Sequence, residues 1–258
     1  GELRQGGDSV LKGTLSSRVY LKQANVRAQT MLENRLEPLY AMMELAGASG
    51  VYSVDHFRYM WKQLMRNHPH DSICGCSRDE VHAHMEDNFA RLSTTTADIL
   101  DRGMKIAAAH LDLPGRTKDN YLIVLANTTQ APLADVVELT VDIPKADKAR
   151  GIMITDADGA PAAFTVLSKR DAIRDGFSPL NLPGNFPVDR YQISLRTGVV
   201  APFAFKGFVV NGTAEENPIA APAAASGSAV IENAYLRVEA EADGRIHILD
   251  KRTGRRLS

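Results

Sequence analysis

The side chains best suited to chemistry in this sequence lie in one short stretch, NHPHDSICGCS, at positions 67–77. Five of them carry metal-binding or nucleophilic atoms: His68, His70, Asp71, Cys74 and Cys76. Zinc prefers imidazole nitrogen and thiolate sulfur as ligands and also accepts aspartate oxygen. The stretch therefore allows three hypotheses: a self-contained zinc site, a turn between two helices, or a contribution to an active site whose other members lie outside these 258 residues.

The spacing inside this stretch leaves all three hypotheses open. A zinc site made from the two histidines and the two cysteines would be crowded, because structural zinc sites usually place their ligand pairs on separate loops. A turn is supported by Pro69 and Gly75, with Cys74 as a small buried apolar residue and His68 facing water. Two cysteines separated by one residue rarely meet disulfide geometry, so we expect reduced thiols and a cytoplasmic location.

The overall composition argues against several kinds of partner. Lys plus Arg total 30 and Asp plus Glu total 31, and the net charge of −1 gives no reason to expect nucleic acid or an anionic membrane. No apolar run approaches the roughly 20 residues that span a bilayer. The N-terminal residues GELRQGGDSV contain no apolar signal-peptide core.

Residues 19–112 have the periodicity of amphipathic helices. Apolar positions recur at three- and four-residue steps in three stripes: Met31, Leu32, Leu36, Leu39, Tyr40 and Met43; Phe57, Met60, Trp61, Leu64 and Met65; Val81, Met85, Phe89, Leu92, Thr96, Ile99, Leu100 and Met104. Pro38 is expected to kink or restart the first helix, and Ser53 to cap the second. Ser77 and Glu80 have the spacing of a capping box for the third. These features predict a three-helix bundle.

From residue 113 onwards the pattern becomes that of short strands. The alternation in DVVELTVDIP, at 135–144, and the apolar run in YLIVLANTT, at 121–129, predict an antiparallel β-sandwich over 113–210. Asp158-Gly159 indicates a hairpin within it. The predicted fold class is therefore α+β and multidomain, a three-helix bundle followed by an antiparallel β-sandwich.

The last part of the chain indicates a linker and the beginning of another β domain. Residues 211–229 are rich in Ala, Pro, Gly and Ser without any period, which is typical of a linker. Residues 230–258 contain two alternating strands around Asp243-Gly244. Because an isolated hairpin is marginally stable in water, we expect its partners to lie beyond residue 258.

Several segments resemble one enzyme family, in the same order along the chain. NHPHDSICGCSRDEVH, at 67–82, is similar to a signature of the bacterial glycoside hydrolases of family 38, the α-mannosidases and the related mannosylglycerate hydrolase. Further similar segments are GTLSSRVYLKQAN (13–25), ENRLEPLYAM (33–42), NLPGNFPVDRYQ (181–192) and IENAYLRVEAEADGRIHILDKRTG (231–254). The resemblance implies that residues 1–18 end a catalytic domain, that residues 19–112 form a three-helix middle domain, and that the β region follows.

The resemblance also implies roles for two residues of the opening stretch. By position in the motif, His70 corresponds to the family's one zinc ligand from the middle domain, and Asp71 to a residue that hydrogen-bonds to mannose hydroxyls. Neither Cys74 nor Cys76 would be a ligand. A short acid at the start of a turn also caps backbone amides, so that role stays open for Asp71. The family's other zinc ligands and its catalytic carboxylates come from the catalytic domain, so we expect this chain alone to be inactive and not to retain Zn²⁺.

The function implied is that of a fragment of a retaining, zinc-dependent α-mannosidase. In retaining glycosidases two carboxylates about 5–5.5 Å apart act in turn as nucleophile and acid/base. The substrate would be an α-mannoside glycan or a mannosylglycerate-type compound. Two alternatives remain, a module that binds carbohydrate without cleaving it and a structural piece that forms a homo-oligomer. Trp61, the only tryptophan, lies on an apolar helix stripe, which argues against a sugar-stacking platform.

Overall fold

Helices form the first part of the chain and antiparallel strands the rest, in a computed structural model that describes residues 13–14, 16–48, 50–177, 182–220 and 229–257. This arrangement confirms the α+β fold class. By its internal contacts the chain divides into two units, Gly1–Asn217 and Pro218–Ser258. The predicted domain limits at residues 18, 112, 210 and 229 stay predictions. No helix within the described ranges is long and apolar enough to cross a membrane.

The helical region contains five α-helices and one π-helical segment. Their bounds are α1 Val19–Thr30, the π segment Met31–Leu36, α2 Glu37–Leu45, α3 Val54–Met65, α4 His70–Cys74 and α5 Asp79–His110. Because α1, the π segment and α2 are continuous, the described chain has three long helical stretches, at 19–45, 54–65 and 79–110. The single turn α4 lies between the last two, and the periodicity did not predict it.

The helices bury most of the apolar stripes that the sequence predicts. The core they share includes Leu21, Leu32, Leu36, Leu39, Tyr40, Met43, Phe57, Met60, Leu64, Met85, Phe89 and Leu92. Ser53 caps α3 as predicted, because its Oγ accepts a hydrogen bond from the N–H of His56 at 3.4 Å. Met65 was predicted to be in the core, but it is the last residue of α3 and its side chain is 52% exposed.

Pro38 was predicted to kink or restart the first helix, but it does not restart it, because the helix is continuous from α1 through the π segment into α2. Pro38 has no N–H, so the carbonyl of Asn34 lacks the donor that residue i+4 normally supplies. The turn just before it, Met31–Leu36, is π-helical. The hydroxyl of Thr128, from the β region, donates to the Asn34 carbonyl at 2.7 Å. The proline thus leaves a free acceptor on the helix, which the β region uses.

Two three-stranded antiparallel sheets follow the helices and form the predicted β-sandwich. Their strands are β1 Tyr121–Asn127, β2 Leu133–Pro144, β3 Gly151–Thr155, β4 Phe164–Phe177, β5 Pro183–Val200 and β6 Ala204–Thr213. One sheet has the order β1-β6-β3 and the other the order β2-β5-β4. The core between them consists of Ile123, Val141, Ile143, Ile152, Ile154, Val166, Tyr191, Ile193, Leu195, Phe208 and Val210. In β2, the alternation correctly predicts Val141 and Ile143 as inward positions.

The helical region and the sandwich belong to the same unit and meet through apolar side chains. Ala126 of β1 and Phe205 of β6 pack on the helical core. Leu113, just after α5, lies against Gly207 of β6 so closely that a Cβ added to this glycine would stand 2.4 Å from Leu113 Cδ1. The missing side chain at 207 therefore lets the connection between α5 and β1 lie directly on β6.

The prediction of a hairpin at Asp158-Gly159 is wrong, because the strands before and after this turn do not pair with each other. The two residues do form a turn, but β3 pairs with β6 and β4 pairs with β5. The strands on either side of the turn meet only at a bridge between Thr155 and Pro161. The chain crosses there from one sheet to the other, and Pro161 has no N–H with which to continue a ladder.

The predicted capping box of Ser77 and Glu80 is also wrong. Helix α5 begins after Arg78, whose side chain makes no capping hydrogen bond. The N–H of Ser77 still closes α4, because it donates to the carbonyl of Asp71 at 3.2 Å. Ser77 therefore belongs to the end of α4, whereas the sequence pattern indicates that it begins α5.

The first part of the predicted linker is fixed to the sandwich. β6 continues to Thr213, which is opposite Gly151 of β3. The side chain of Asn217 then accepts a hydrogen bond from the N–H of Ile152 at 2.7 Å and donates to its carbonyl at 2.9 Å. Residues 221–228 of the predicted linker lie outside the described residues.

The described part of the second unit is a four-stranded antiparallel sheet rather than a single hairpin. Its strands are β7 Val230–Glu232, β8 Leu236–Ala240, β9 Ile246–Asp250 and β10 Arg255–Leu257, in the order β10-β9-β8-β7. The predicted Asp243-Gly244 turn joins β8 to β9. The two outer strands have three residues each, too few to show alternation. None of the described residues of this unit is fully buried.

Candidate metal centre

The candidate residues lie on α4, a single helical turn between α3 and α5. It begins after Pro69, whose backbone is extended, with φ −47° and ψ 137°. It ends at Gly75, whose φ of 81° is in the left-handed region that glycine adopts readily. The N–H of Cys76 donates to the carbonyl of Asp71 at 3.2 Å and closes the turn. Ile73 packs on the helical core and so attaches α4 to it.

His70 and Asp71 begin α4, and both side chains face solvent. The His70 side chain is 83% exposed and that of Asp71 is 64% exposed, and His70 Nε2 lies 3.3 Å from Asp71 Oδ1. The imidazole can donate to the carboxylate, or its nitrogen can bind a cation when that nitrogen is unprotonated. Within the described ranges, no backbone N–H donates to the Asp71 carboxylate, so the structure does not support the amide-capping role. It brings together the two residues predicted for the site.

The other reactive side chains of the stretch have different partners. His68 Nε2 lies 2.7 Å from Asn25 Oδ1 on α1. Cys76 Sγ donates to Asp71 Oδ1 at 3.6 Å. Desolvation, followed by this hydrogen bond, raises the pKa of the Cys76 thiol, whereas metal binding requires the thiolate. In the part of the chain that the structure describes, no three His, Cys, Asp or Glu side chains are grouped to hold a metal. The described residues therefore give no support to the hypothesis of a self-contained zinc site.

Side chains from the first turn of α1 and from the two residues before it bind the C-terminal end of α4. We call Ser17, Arg18 and Lys22 the α4 clamp. Ser17 Oγ donates to the carbonyl of Gly75 at 3.2 Å, and Arg18 Nε donates to the same carbonyl at 3.3 Å. Lys22 Nζ donates to the carbonyl of Cys74 at 3.2 Å. Reasoning from the sequence missed the clamp, because its contacts join residues 52 to 58 positions apart and no local spacing reveals them.

The donors on α4 fit zinc in kind but not in number. Zinc in proteins usually has four ligands, with nitrogen and oxygen at about 2.0–2.2 Å. His70 offers an imidazole nitrogen and Asp71 a carboxylate, both from the exposed side of α4. Cys76 Sγ also contacts Asp71 Oδ1, but the described residues form no group of three donors that could hold a metal. The pair can therefore complete a zinc site but cannot form one.

Comparison with known proteins finds matches that include the same region. Residues 9–106 match the family model of the alpha mannosidase middle domain. A putative mannosylglycerate hydrolase from Halalkalibacterium halodurans is 47% identical over 112 residues, which are 42% of this chain and 12% of that protein. An α-mannosidase from Enterococcus faecalis V583 has a similar structure, with a TM-score of 0.76 and 28% identity over 96% of this chain and 30% of that one.

A second solved structure, a protein of glycosyl hydrolase family 38 from Enterococcus faecalis, has a TM-score of 0.76 and 29% identity over 96% of this chain and 31% of its own. The helices that carry His70 and Asp71 thus lie in the segment that matches the alpha mannosidase middle domain, and β-sheets follow them. Over 96% of its length the chain thus resembles solved structures from glycoside hydrolase family 38, and residues 9–106 match the family model of the alpha mannosidase middle domain. The chain spans about three tenths of the length of the two solved relatives.

Proposed function

We propose that this chain is the part of a zinc-dependent, retaining α-mannosidase that supplies one zinc ligand, His70, and one sugar contact, Asp71. The observation that carries the proposal is the exposed pair of these side chains on α4, inside the segment that matches the middle domain. The substrate would be an α-mannoside, either a glycan or a mannosylglycerate-type compound. The other zinc ligands and both reaction carboxylates would come from polypeptide outside residues 1–258.

Each of the two residues has a role that its surroundings allow. His70 would give the metal a neutral imidazole nitrogen. When bound, zinc would supply a Lewis acid that holds sugar hydroxyls and orients the ring. A carboxylate oxygen of Asp71 would accept a hydrogen bond from a sugar hydroxyl. The Cys76 thiol donates to Asp71 Oδ1, and among the described residues Oδ2 has no donor, so it is the oxygen available to substrate.

Zinc content and mannosidase activity of the full-length protein test both assignments. We expect His70→Ala to lose stoichiometric zinc, measured by mass spectrometry, and to lower kcat/KM by about a hundredfold or more. Asp71→Asn should keep zinc and lower kcat/KM by about a hundredfold, because it loses a charged acceptor at the sugar. His68→Ala is the matched control. It lies two residues away, pairs with Asn25, and should change neither quantity.

Full zinc occupancy in His70→Ala would contradict the metal assignment. Residues 1–258 alone should bind no chelator-resistant zinc and should not hydrolyse an α-mannoside. Finding stoichiometric zinc in that chain would show that its own residues complete a metal site.

The aromatic side chains of the helical core give no support to the alternative of a module that only binds carbohydrate. Trp61 is half-buried on the helical core, and its Nε1 donates to Glu37 Oε1 at 2.8 Å. The ring–ring contacts in the described ranges join Tyr52 and Tyr40 to Phe57, again in the helical core. Sugar stacking needs an exposed ring face, and these rings are already packed against protein.

A further inference from the structure

We infer that the α4 clamp positions His70 and Asp71, so that residues in the first turn of α1 and just before it control the metal-binding end of α4 without touching metal or sugar. The inference rests on the proposed function for what His70 and Asp71 do. The clamp contacts are observed independently of that function.

The clamp binds the carbonyl groups at the C-terminal end of α4. The last carbonyls of a helix have no partner within the helix and carry partial negative charge. Here Lys22 Nζ donates to Cys74 O, while Ser17 Oγ and Arg18 Nε donate to Gly75 O. Hydrogen bonds from charged donors are the stronger kind. Since α4 has only five residues, it is too short to be stable by itself, and its orientation depends on the groups that hold its ends.

Arg18 has a strained backbone, which indicates that the contacts of its side chain compensate for the strain. Its φ of 45° and ψ of 51° lie in the left-handed region, where an arginine is strained and a glycine is not. The side chain nevertheless reaches Gly75 O, and its Nη2 also pairs with Asp79 Oδ1 at 2.5 Å. Lys22 Nζ donates to the carbonyl of Ser17 at 2.7 Å and so supports the same turn. The strained residue is thus held at the centre of the contact.

Gly75 shows how closely the clamp and α4 are packed. A Cβ at this position would stand 3.0 Å from Ser17 Oγ and 3.2 Å from Arg18 Cβ. A side chain at position 75 would have to push Ser17 or Arg18 aside, so the end of α4 and the start of α1 are in tight contact. A displacement of residues 17–22 therefore displaces α4, and misplacing a catalytic group by about 1 Å can lower a rate by about a hundredfold.

Amide hydrogen exchange in the 258-residue chain tests the clamp without any metal. We expect Arg18→Gly to raise the exchange rates of residues 70–77 by about tenfold, because a charged donor is lost from the Gly75 carbonyl. Lys22→Met should raise them by a similar factor. Glycine accepts the left-handed backbone, so the unfolding midpoint of Arg18→Gly should lie at or above that of Arg18→Ala. A residue that only supported the fold would instead lower the midpoint without a local change at 70–77.

Asp79→Asn is the matched control, because it removes the ion pair of Arg18 and leaves all the bonds to the α4 carbonyls in place. It should change exchange at 70–77 by no more than about twofold. Exchange in Arg18→Gly and Lys22→Met that stays within about twofold of the parent would overturn the clamp.

A zinc competition assay with a chelator, on the full-length protein, tests the positioning of His70. Arg18→Gly should weaken zinc binding by about tenfold, as loss of an orienting contact around a metal ligand does. Faster exchange at 70–77 with unchanged zinc affinity would overturn the positioning role. Unchanged zinc affinity in His70→Ala would instead overturn the proposed function, and the exchange result for the clamp would stand.

Discussion

The two units of the chain are ordered in different ways. In Gly1–Asn217, elements far apart in sequence pack on two apolar cores, and side chains such as Leu36 and Ile193 have no exposed surface. In Pro218–Ser258, the four strands are regularly paired, yet Ile231 is 64% exposed and no described residue of this unit is buried. The comparison shows that paired strands do not by themselves create a core.

Helix α4 combines features of both units. Like the strands of the second unit it is short and exposed, and His70 and Asp71 face solvent. Like the elements of the first unit it is held by distant residues, with Ile73 on the helical core and the α4 clamp on its last carbonyls. Long-range contacts can therefore fix an exposed turn that local structure would leave unstable.

Truncating side chains in the two units should give the largest contrast. Leu36→Ala should lower the free energy of unfolding by about 3 kcal/mol, because it removes a fully buried side chain and leaves a cavity. Ile248→Ala, in the half-buried row of β9, should lower it by less than about 1 kcal/mol. Urea denaturation followed by circular dichroism measures both. Trp61, which packs on the helical core, reports the first unit by fluorescence.

Ile193→Ala is the matched control for residue type, since it removes the same side chain as Ile248→Ala from a buried strand position. Its effect should resemble that of Leu36→Ala. If Ile248→Ala destabilises the chain as much as either, the second unit has a core and the comparison between the units is wrong.

The sequence predicts the parts of this fold that depend on local periodicity. The stripes of the helices and the inward positions Val141 and Ile143 follow from steps of three to four residues and of two. The contacts that hold α4 do not, because a lone Arg18 at the start of a helix looks like any surface cation. The crossing between β3 and β4 is missed for the same reason. Its turn residues indicate a reversal, whereas the pairing is decided by distant strands.

The candidate site divides in the same way. The motif resemblance selected His70 and Asp71, and the structure shows them side by side and exposed. Among the described residues, the two cysteines and His68 do not join this pair in a group that could hold a metal, and His68 pairs with Asn25 instead. The spacing of residues in the sequence does not by itself determine where side chains point on a helix of one turn.

The hydrogen bond between Thr128 and Asn34 tests whether the two cores of the first unit act together. Thr128→Val keeps the shape of the side chain and leaves the carbonyl next to Pro38 without its donor, so we expect a loss of about 1 kcal/mol in unfolding free energy. Thr94→Val is the control, because the Thr94 hydroxyl donates only to Ala90 O within α5. Its effect should be below about 0.5 kcal/mol.

Trp61 fluorescence and the β-sheet circular dichroism signal should show coincident transitions in the parent and in both of these variants. Separate transitions in the parent would show that the helical region and the sandwich unfold independently. The helical core and the sandwich core would then be separate folding units that only contact each other. The first unit would differ from the second only in the size of its cores.

The smallest expected difference between the two units is in how their ion pairs make stability depend on pH. In the first unit, Arg190 donates to both oxygens of Asp142 at 2.7 Å, and this hydrogen bonding lowers the pKa of Asp142. In the second unit, the hydrogen bond from Lys251 lowers the pKa of Glu232. A carboxyl with a lowered pKa in the folded state adds stability above its unfolded pKa and loses it as the pH falls through the folded pKa. The Asp142 side chain is 13% exposed and that of Glu232 is 43% exposed, so water screens the second pair more.

Asp142→Asn should therefore flatten the fall in unfolding free energy between about pH 5 and pH 2 more than Glu232→Gln does. Urea denaturation at a series of pH values measures both slopes. Glu138→Gln, on an exposed position of β2, controls for the loss of one negative charge. Equal slopes for Asp142→Asn and Glu232→Gln would mean that the two carboxyl groups have similar surroundings. Screening by water would then not set the size of this effect, and the ion pair of Asp142 would have no advantage over the more exposed pair of Glu232.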